Sequence, residues 1–390
     1  PKFAGLEIVR STQFPADWQG DFVTLDFRAH RVVRFKRAEQ GSAFVTKEMP
    51  DLVRTLADSF RPVDVRLGPD GALYIADWSN PIIQHGEVDF RDPRRDKTHG
   101  RIWRIAAKGA KAAARRDLTR LGNLDLLDLL VSPNGYEQAQ ARRVLVERGA
   151  AAVLPDLDPW TRRQTGEPAK LQALFAYQAF NHATPALAAE LLRAKDPGVR
   201  AAAVRVIPDD DAIGPLEQLA ADGHPRVRLA AVRALGRRNS ARAAELALAA
   251  LELPMDPHLD YAVWLTINEL AAPWAAALKS GVWTTSGREK QLEFALKAIE
   301  PESASEVLGL LLARQGGVAR DGAGPWIELI GAAGGAAELK LLWEQLVRGD
   351  FAEPVALRAV AALNEAARLR GEKPAGDFSR LETVLKSPGD

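Results

Sequence analysis

Short apolar runs alternate with turn residues over positions 1–105. The runs are FVTLDF (22–27), RVVRFK (31–36), VDVRLG (63–68), ALYIAD (72–77) and RIWRI (101–105). Their β-branched and aromatic side chains favour strands. GPDG (68–71) separates two of them and indicates a tight turn, because Pro presets φ and Gly accepts a positive φ. The pattern predicts about five to seven short strands.

A turn followed by a strand such as ALYIAD is typical of a β-propeller blade. A blade has four strands and a propeller has roughly four to eight blades, so this amount of β structure predicts one to two blades and no closed ring. Such a piece would leave unpaired strand edges. We therefore expect that further blades come from elsewhere or that these strands pack against the next region.

From about residue 117 the apolar spacing becomes helical. Three segments begin at Asp196, His224 and Asp256, each followed by proline, which suits the first position of a helix. They share apolar or small residues at positions i, i+3, i+4 and i+8, namely Val199, Ala202, Ala203 and Ile207; Val227, Ala230, Ala231 and Leu235; and Leu259, Ala262, Val263 and Ile267. PVALRAVAAL (354–363) repeats the pattern, and Gly-rich GGVARDGAGPW (316–326) is predicted to be a loop.

These features predict a mixed fold, β then all-α, with a partial β-propeller over residues 1–110 and an α-solenoid of HEAT-like repeats over residues 111–390. The chain of 390 residues has no cysteine, which excludes disulfides, thiolate metal sites and covalent haem attachment within it. Its net charge of +1 gives no reason to expect a nucleic-acid partner. No apolar run is long enough to span a membrane. The chain does not begin with Met, and we expect it to be part of a longer gene product.

Three stretches carry a resemblance to a known family: residues 18–35, residues 60–105 and residues 132–149. They resemble the membrane-bound dehydrogenases of planctomycetes and verrucomicrobia. The resemblance implies a propeller related to quinone-dependent sugar dehydrogenases, then HEAT-like repeats, and commonly a cytochrome c domain that carries the haem and would lie outside this chain. It also implies a periplasmic or membrane-associated location.

The loop between residues 77 and 101 is the densest group of chemically active side chains. Asp77 and Asn80 are candidate oxygen ligands for Ca²⁺. His85 or His99 could accept the proton of a sugar hydroxyl during hydride transfer to a quinone. A polycarboxylate cofactor such as pyrroloquinoline quinone (PQQ) would suit forked hydrogen bonds from the candidate residues Arg91, Arg94 and Arg101.

The alternative is that these charges brace an ordered loop at the junction of the two regions. Pairs Asp89–Arg91 and Asp92–Arg95 would then form, and His99 would contact a backbone carbonyl. In that case Arg91→Ala should lower the melting temperature. A solvated, mobile loop is the third alternative.

Other candidates have simpler interpretations. We expect His30 to be structural, the acids 209–211 to be a solvated helix cap, and the dispersed His182, His224 and His258 to bind no metal. Six tryptophans in or beside the helical repeats are expected in the core: Trp160, Trp264, Trp274, Trp283, Trp326 and Trp343.

Two functions remain open. In the first, which the resemblance implies, the chain is a fragment of a periplasmic dehydrogenase that oxidises a sugar or polyol with a quinone-type cofactor and Ca²⁺. We then expect the fragment alone to be inactive, because one or two blades cannot complete a catalytic ring. Alternatively, it is a non-catalytic module that binds a protein partner on the concave face of the solenoid.

Overall fold

The structure, a computed structural model, describes residues 2–83, 86–207 and 213–376. The chain divides into two compact units, residues 1–206 and 207–390. The last described strand ends at Ile105 and the first helical element begins at Leu118, whereas the division into compact units falls after residue 206, about a hundred residues beyond the predicted boundary near residue 110. The first unit therefore contains all of the described strands and the first six helices.

The first unit opens with two antiparallel sheets. Their strands are β1 (Phe3–Ile8), β2 (Phe22–Asp26), β3 (Arg31–Gln40), β4 (Ala43–Glu48), β5 (Val53–Arg54), β6 (Pro62–Leu67), β7 (Leu73–Asp77) and β8 (Arg101–Ile105). The first sheet has the order β1-β2-β3-β4, with β5 also paired to β3, and the second has the order β6-β7-β8. The described residues form no closed propeller.

The sheets share one apolar core, and their connections are hydrogen-bonded. Alternate residues of β2, β6 and β7 point inward, so that Val23, Leu25, Val65 and Ile75 are fully buried. The predicted GPDG turn is present: Gly71 has φ of 81° and donates its N–H to the Gly68 carbonyl at 2.9 Å. All five predicted strands are found, and β1, β4 and β5 were not predicted.

Six helices complete the first unit: α1 (Asn123–Leu129), α2 (Gly135–Arg148), α3 (Ala150–Arg163), α4 (Glu167–Ala179), α5 (Pro185–Leu191) and α6 (Pro197–Val204). The hydrogen bonds that join the sheets to these helices include Gly135 N–H to the Arg10 carbonyl at 2.7 Å. The Ala113 N–H also donates to the Asp70 carbonyl at 3.1 Å, just before the helices. Arg10 and Asp70 therefore lie at the junction between the strands and the helices, which is where the loop 77–101 was predicted to lie.

The second unit is helical throughout its described part. Its helices are α7 (Gly214–Ala220), α8 (Pro225–Gly236), α9 (Ala241–Ala249), α10 (Pro257–Glu269), α11 (Ala271–Ser280), α12 (Glu289–Ala298), α13 (Pro301–Gln315), α14 (Trp326–Ala333), α15 (Ala336–Val347) and α16 (Glu353–Glu365). Even-numbered helices from α8 to α16 pack side by side in one layer, and odd-numbered helices from α7 to α15 form the other. The predicted loop 316–326 separates α13 from α14, apart from Trp326, which begins α14.

The predicted repeat starts are confirmed. Helices α6, α8 and α10 begin at Pro197, Pro225 and Pro257, and the residue before each proline accepts a backbone hydrogen bond with its side chain. At α10, Asp256 Oδ1 accepts from the N–H groups of His258 and Leu259 at 3.0 and 3.1 Å. Two otherwise unpaired donors of the first turn are satisfied in this way. The acids 209–211 lie outside the described residues.

Candidate functional site

The root of the loop 77–101 is built around one buried carboxylate. Asp77 ends β7, and its side chain is fully buried. Oδ1 accepts the backbone N–H groups of Arg61 and Ser79 at 2.8 and 2.9 Å. Oδ2 accepts Arg101 Nε and Trp103 Nε1, both at 2.8 Å. Because all four donors belong to the protein, Asp77 ties β6, β8 and the start of the loop together.

A buried guanidinium continues this network. Arg61 donates to three backbone carbonyls, those of Phe27, Asn80 and Pro81, each at 3.0 Å. Its Nη1 also lies 3.3 Å from His30 Nε2, and His30 Nδ1 lies 2.9 Å from the Phe60 carbonyl. Arginine only donates, so Nε2 accepts and Nδ1 carries the proton. Both ring nitrogens of His30 are therefore held inside the fold, as a structural histidine requires.

Asn80 also faces the protein. Its Oδ1 accepts the Ile82 N–H at 3.0 Å, and its Nδ2 approaches the Asp96 carbonyl at 3.4 Å. The residue is 4% exposed. The predicted Ca²⁺ ligands Asp77 and Asn80 are thus buried in one hydrogen-bond network that also includes the partly exposed Arg101, and their oxygens already accept protein hydrogen bonds. In the described residues no group of three or more His, Cys, Asp or Glu side chains is arranged to hold a metal ion.

The tip of the loop folds through short turns in which aspartate caps the backbone. Asp89 Oδ1 accepts the Arg91 N–H at 2.7 Å, and Asp92 Oδ1 accepts the Arg94 N–H at 2.9 Å. A carboxylate two residues before an N–H favours this turn. Arg94 also pairs with Asp92 through both of its forked donors, at 3.0 and 2.8 Å. The side-chain and backbone hydrogen bonds from Arg94 lower the pKa of Asp92 to about 2.

The bracing arginine of the tip is Arg95. It is 9% exposed and donates to the Val88 and Asp89 carbonyls at 2.9 and 3.1 Å. Its guanidinium also lies 5.4 Å from the ring centre of Phe90. The predicted pairs were therefore wrong in detail: Asp92 pairs with Arg94, and Asp89 accepts the backbone of Arg91. The Arg91 side chain is exposed and has no partner among the residues that the structure describes.

His99 lies on the surface. Its side chain is 77% exposed, and its Nδ1 lies 3.2 Å from Asp96 Oδ2. The predicted contact of His99 with a backbone carbonyl is replaced by this contact with a carboxylate. Hydrogen bonds from the N–H groups of Thr98 and His99 help to lower the pKa of Asp96. The structure therefore brings together Asp77, Asn80 and Arg101 but leaves Arg91, Arg94 and His99 outside that network; His85 lies outside the described residues.

A second candidate surface lies on the helical unit. Tyr261 and Trp264, one turn apart on α10, stack with ring centres 5.8 Å apart and an interplanar angle of 16°. They are 60% and 38% exposed. The prediction that the repeat tryptophans are core residues holds for Trp160, Trp274, Trp283 and Trp343, which are at most 8% exposed. Trp326 is only partly buried, and the prediction is wrong for Trp264, which is exposed. Tyrosine and tryptophan are enriched among the residues that contribute most to protein–protein binding, so this exposed pair is a candidate contact surface.

The surroundings of this pair carry charge. Asp260 is exposed beside Tyr261, and its carboxylate forms no ion pair or hydrogen bond within the described part of the chain. By contrast, Glu269 at the end of α10 is held by both terminal nitrogens of Arg233 on α8, at 2.9 and 3.0 Å. Asp260 thus remains available to an external cation. The sequence signal was present as Y-x-x-W, but aromatic residues at helical spacing are most often core residues.

Comparison with known proteins gives two partial matches. A family model for a domain of unknown function, DUF7133, matches residues 2–109, and a model for HEAT repeats matches residues 184–264. No curated protein matches the chain. The first match spans both sheets and carries no activity, and the second agrees with the helical layers. No named relative supports the dehydrogenase assignment, which stays a prediction. Among the helices that the structure describes, none is both long and apolar enough to cross a membrane.

Proposed function

We propose that the chain is a binding module whose helical unit holds a basic segment of a partner protein against Tyr261, Trp264 and Asp260. The observation that carries this proposal is the exposed, stacked aromatic pair. HEAT repeats generally serve as protein-interaction modules, and the aromatic pair lies within the matched residues 184–264. Aromatic residues are enriched among the side chains that contribute most to binding.

The chemistry of this surface favours an arginine of the partner. A guanidinium stacks on an aromatic face, and such a contact is worth about 0.5–2 kcal/mol depending on how well it is desolvated. The same guanidinium can donate a forked hydrogen bond to a carboxylate. Asp260 and Tyr261 are neighbours in sequence and both are exposed, so one arginine can use both interactions. We therefore expect an arginine-containing peptide rather than an acidic one.

The face of α10 opposite the pair packs against neighbouring helices. Leu259, Ala262 and Val263 on the opposite face of α10 are buried against neighbouring helices. The Thr266 hydroxyl, itself buried, donates to the Val232 carbonyl of α8 at 3.2 Å. These contacts fix the rotation of α10 and hence the direction in which Tyr261 and Trp264 face. A rigid aromatic surface loses little entropy on binding.

A displayed library of random peptides tests the proposal. Peptides would be selected on the whole chain alone, and the selected peptides would then be measured on Trp264→Ala. Arginine-containing sequences should be enriched, and the affinity of a selected peptide should fall at least about tenfold in Trp264→Ala and in Asp260→Asn. Leu357→Ala is the matched control, because Leu357 is 66% exposed on α16 of the same layer. Peptides that bind Trp264→Ala as tightly as the parent chain would contradict the proposal.

We also propose, as the second function, that residues 1–110 form part of a propeller in a periplasmic dehydrogenase for a sugar or polyol. The observation in its favour is strand β8, which is an edge strand of its sheet among the described residues and on which Ile102 is 76% and Trp103 is 44% exposed. Apolar residues on an unpaired edge suit a strand that has a neighbour in a larger sheet. Antiserum to this chain, used on blots of the native source with a stain for covalent haem, should detect a larger, haem-positive band. A haem-negative band of the size of this chain would refute it.

A further inference from the structure

A cleft of about 580 Å³ lies within the first unit, between the sheets and helix α2. Its walls include Glu7 at the end of β1, Arg10 just after it, Arg66 and Leu67 of β6, and Tyr136 and Gln140 of α2. The volume falls in the range of small-molecule sites, about 300–1,000 Å³. The cleft is separate from the loop 77–101 and from the aromatic pair on α10, and neither proposal above uses it.

The walls of the cleft are held by backbone contacts. Gly135 begins α2, and its N–H donates to the Arg10 carbonyl at 2.7 Å. A Cβ at Gly135 would lie only 3.0 Å from Arg10 Cβ, so glycine permits this close approach. On the other wall, Glu7 Oε2 accepts the Leu67 N–H at 2.9 Å and joins β1 to β6. The cleft is therefore preformed.

Two arginines line the cleft, and one of them has no acidic partner within the described residues. Arg66 pairs with Asp64 at 3.1 Å. Arg10 is exposed to solvent and pairs with no acid in the described parts of the chain. On α2, Arg142 donates to Gln172, but its Nε is buried without a partner. Burial, and then the nearby charge of Arg10, lower the pKa of Arg142. Within the described residues, Arg10 is thus an arginine of the lining that has no acidic partner, and Arg142 lies close enough to be affected by its charge but does not line the cleft.

Neutral donors accompany these charges. Neither the Tyr136 hydroxyl nor the Gln140 amide forms a hydrogen bond within the residues described, although both side chains line the cleft. Both can donate to an oxygen anion. The Tyr136 ring packs against the apolar core of the sheets, and Leu67 and Ile8 supply an apolar wall. The cleft therefore offers hydrogen-bond donors to an anionic head and apolar surface to a small body.

We propose that this cleft binds a small organic acid through a single carboxylate, with Arg10 as the principal contact. One carboxylate suits the site better than a phosphate dianion, because Glu7 already contributes one negative charge to the lining. A planar carboxylate also matches the forked donors of a guanidinium. The body of the acid lies against Tyr136, Leu67 and Ile8.

Titration of the whole chain with benzoate, followed by backbone amide NMR shifts, tests the site. Benzoate should saturate and shift residues 7–10 and 135–140, whereas uncharged benzyl alcohol should not bind. Arg10→Gln should weaken benzoate binding by about tenfold or more, the loss expected when a charge-assisted hydrogen bond is removed. Arg94→Gln is the matched control, since Arg94 is an exposed arginine paired elsewhere in the same unit.

A second variant separates the site from loss of folding. Ala139 lines the cleft on α2 and is exposed, so Ala139→Phe should place a ring in the cleft without disturbing the core. Benzoate binding should be lost while the melting temperature stays unchanged. The proposal fails if benzoate does not saturate, if Arg10→Gln binds it as tightly as the parent chain, or if inorganic phosphate competes more strongly than benzoate.

Discussion

Replacement of Asp77 by asparagine tests the buried network at the root of the loop most directly. The substitution keeps the shape of the side chain and replaces one oxygen by an NH₂ group. Each oxygen of Asp77 accepts two hydrogen bonds. In either orientation of the new amide, its NH₂ group would therefore face two N–H donors and could accept neither hydrogen bond. Asp77→Asn therefore loses two hydrogen bonds as well as the ionic contact with Arg101.

The expected cost follows from burial. Each buried donor left without an acceptor costs about 1–3 kcal/mol. The loss of charge adds less than in a fully buried pair, because the Arg101 side chain is 36% exposed and can be hydrated. We expect a loss of about 3–5 kcal/mol in the free energy of unfolding of the first unit. For a unit of this size, that loss lowers the melting temperature on the order of 10 °C.

Thermal and urea unfolding followed by circular dichroism would measure this loss. Asp64→Asn is the matched control, because the substitution is the same, Asp64 lies on the neighbouring strand β6, and its pair with Arg66 is largely exposed. The control should change the free energy of unfolding by less than about 1 kcal/mol. If Asp77→Asn unfolds at the same temperature as Asp64→Asn, the carboxylate is not the element that ties the strands together.

Three further predictions concern the loop tip, the helical layers and metal binding. By NMR, the pKa of Asp92 should be about 2, and it should rise toward 3.8 in Arg94→Ala but not in Arg91→Ala. The stabilisation that ionised Asp92 provides is present above the unfolded pKa and is lost as pH falls through about 2. Gly331→Ala should destabilise the second unit by about 1–3 kcal/mol in urea unfolding, because its Cβ would lie 2.9 Å from the backbone of α16, whereas Gly214→Ala, with open space around it, should not. Millimolar Ca²⁺ should not change the melting temperature, because the Asp77 carboxylate already accepts four hydrogen bonds. If Ca²⁺ raises the melting temperature of the parent chain but not of Asp77→Asn, the metal site predicted from the sequence is present.

Two of the strands that the sequence pattern did not predict show why too few strands were predicted. β4 is exposed along most of its length, so it lacks the apolar face that marks a half-buried strand. β1 contains Gly5 at φ of 61°, and the register shifts between Ala4 and Leu6. A bulge breaks the alternation on which strand prediction depends. The helix starts were predictable because a capping side chain and a proline act within one turn.

The candidate site could be predicted as a segment but not as a set of partners. Sequence spacing suggested that Arg91 braces the loop, whereas the structure gives that role to Arg95 and Arg101. The reason is local: an aspartate two residues earlier binds the backbone of Arg91 and leaves its side chain outside. The partners of Arg101 lie on other strands, and only the register of β7 and β8 brings Arg101 opposite Asp77.

Two residues near the root of the loop have a strained backbone, whereas the tip of the loop is exposed to solvent. His30 and Ser79 have φ of 54° and 57°, a region that costs non-glycine residues energy. Both belong to the network of Arg61 and Asp77, whose hydrogen bonds offset that cost. Hydrogen bonds therefore fix the conformation of the root, and its polar groups stabilise the fold. Of the predicted contact residues described here, Arg91 and Arg94 at the exposed tip and His99 beyond it are the ones that a ligand could reach without breaking that network.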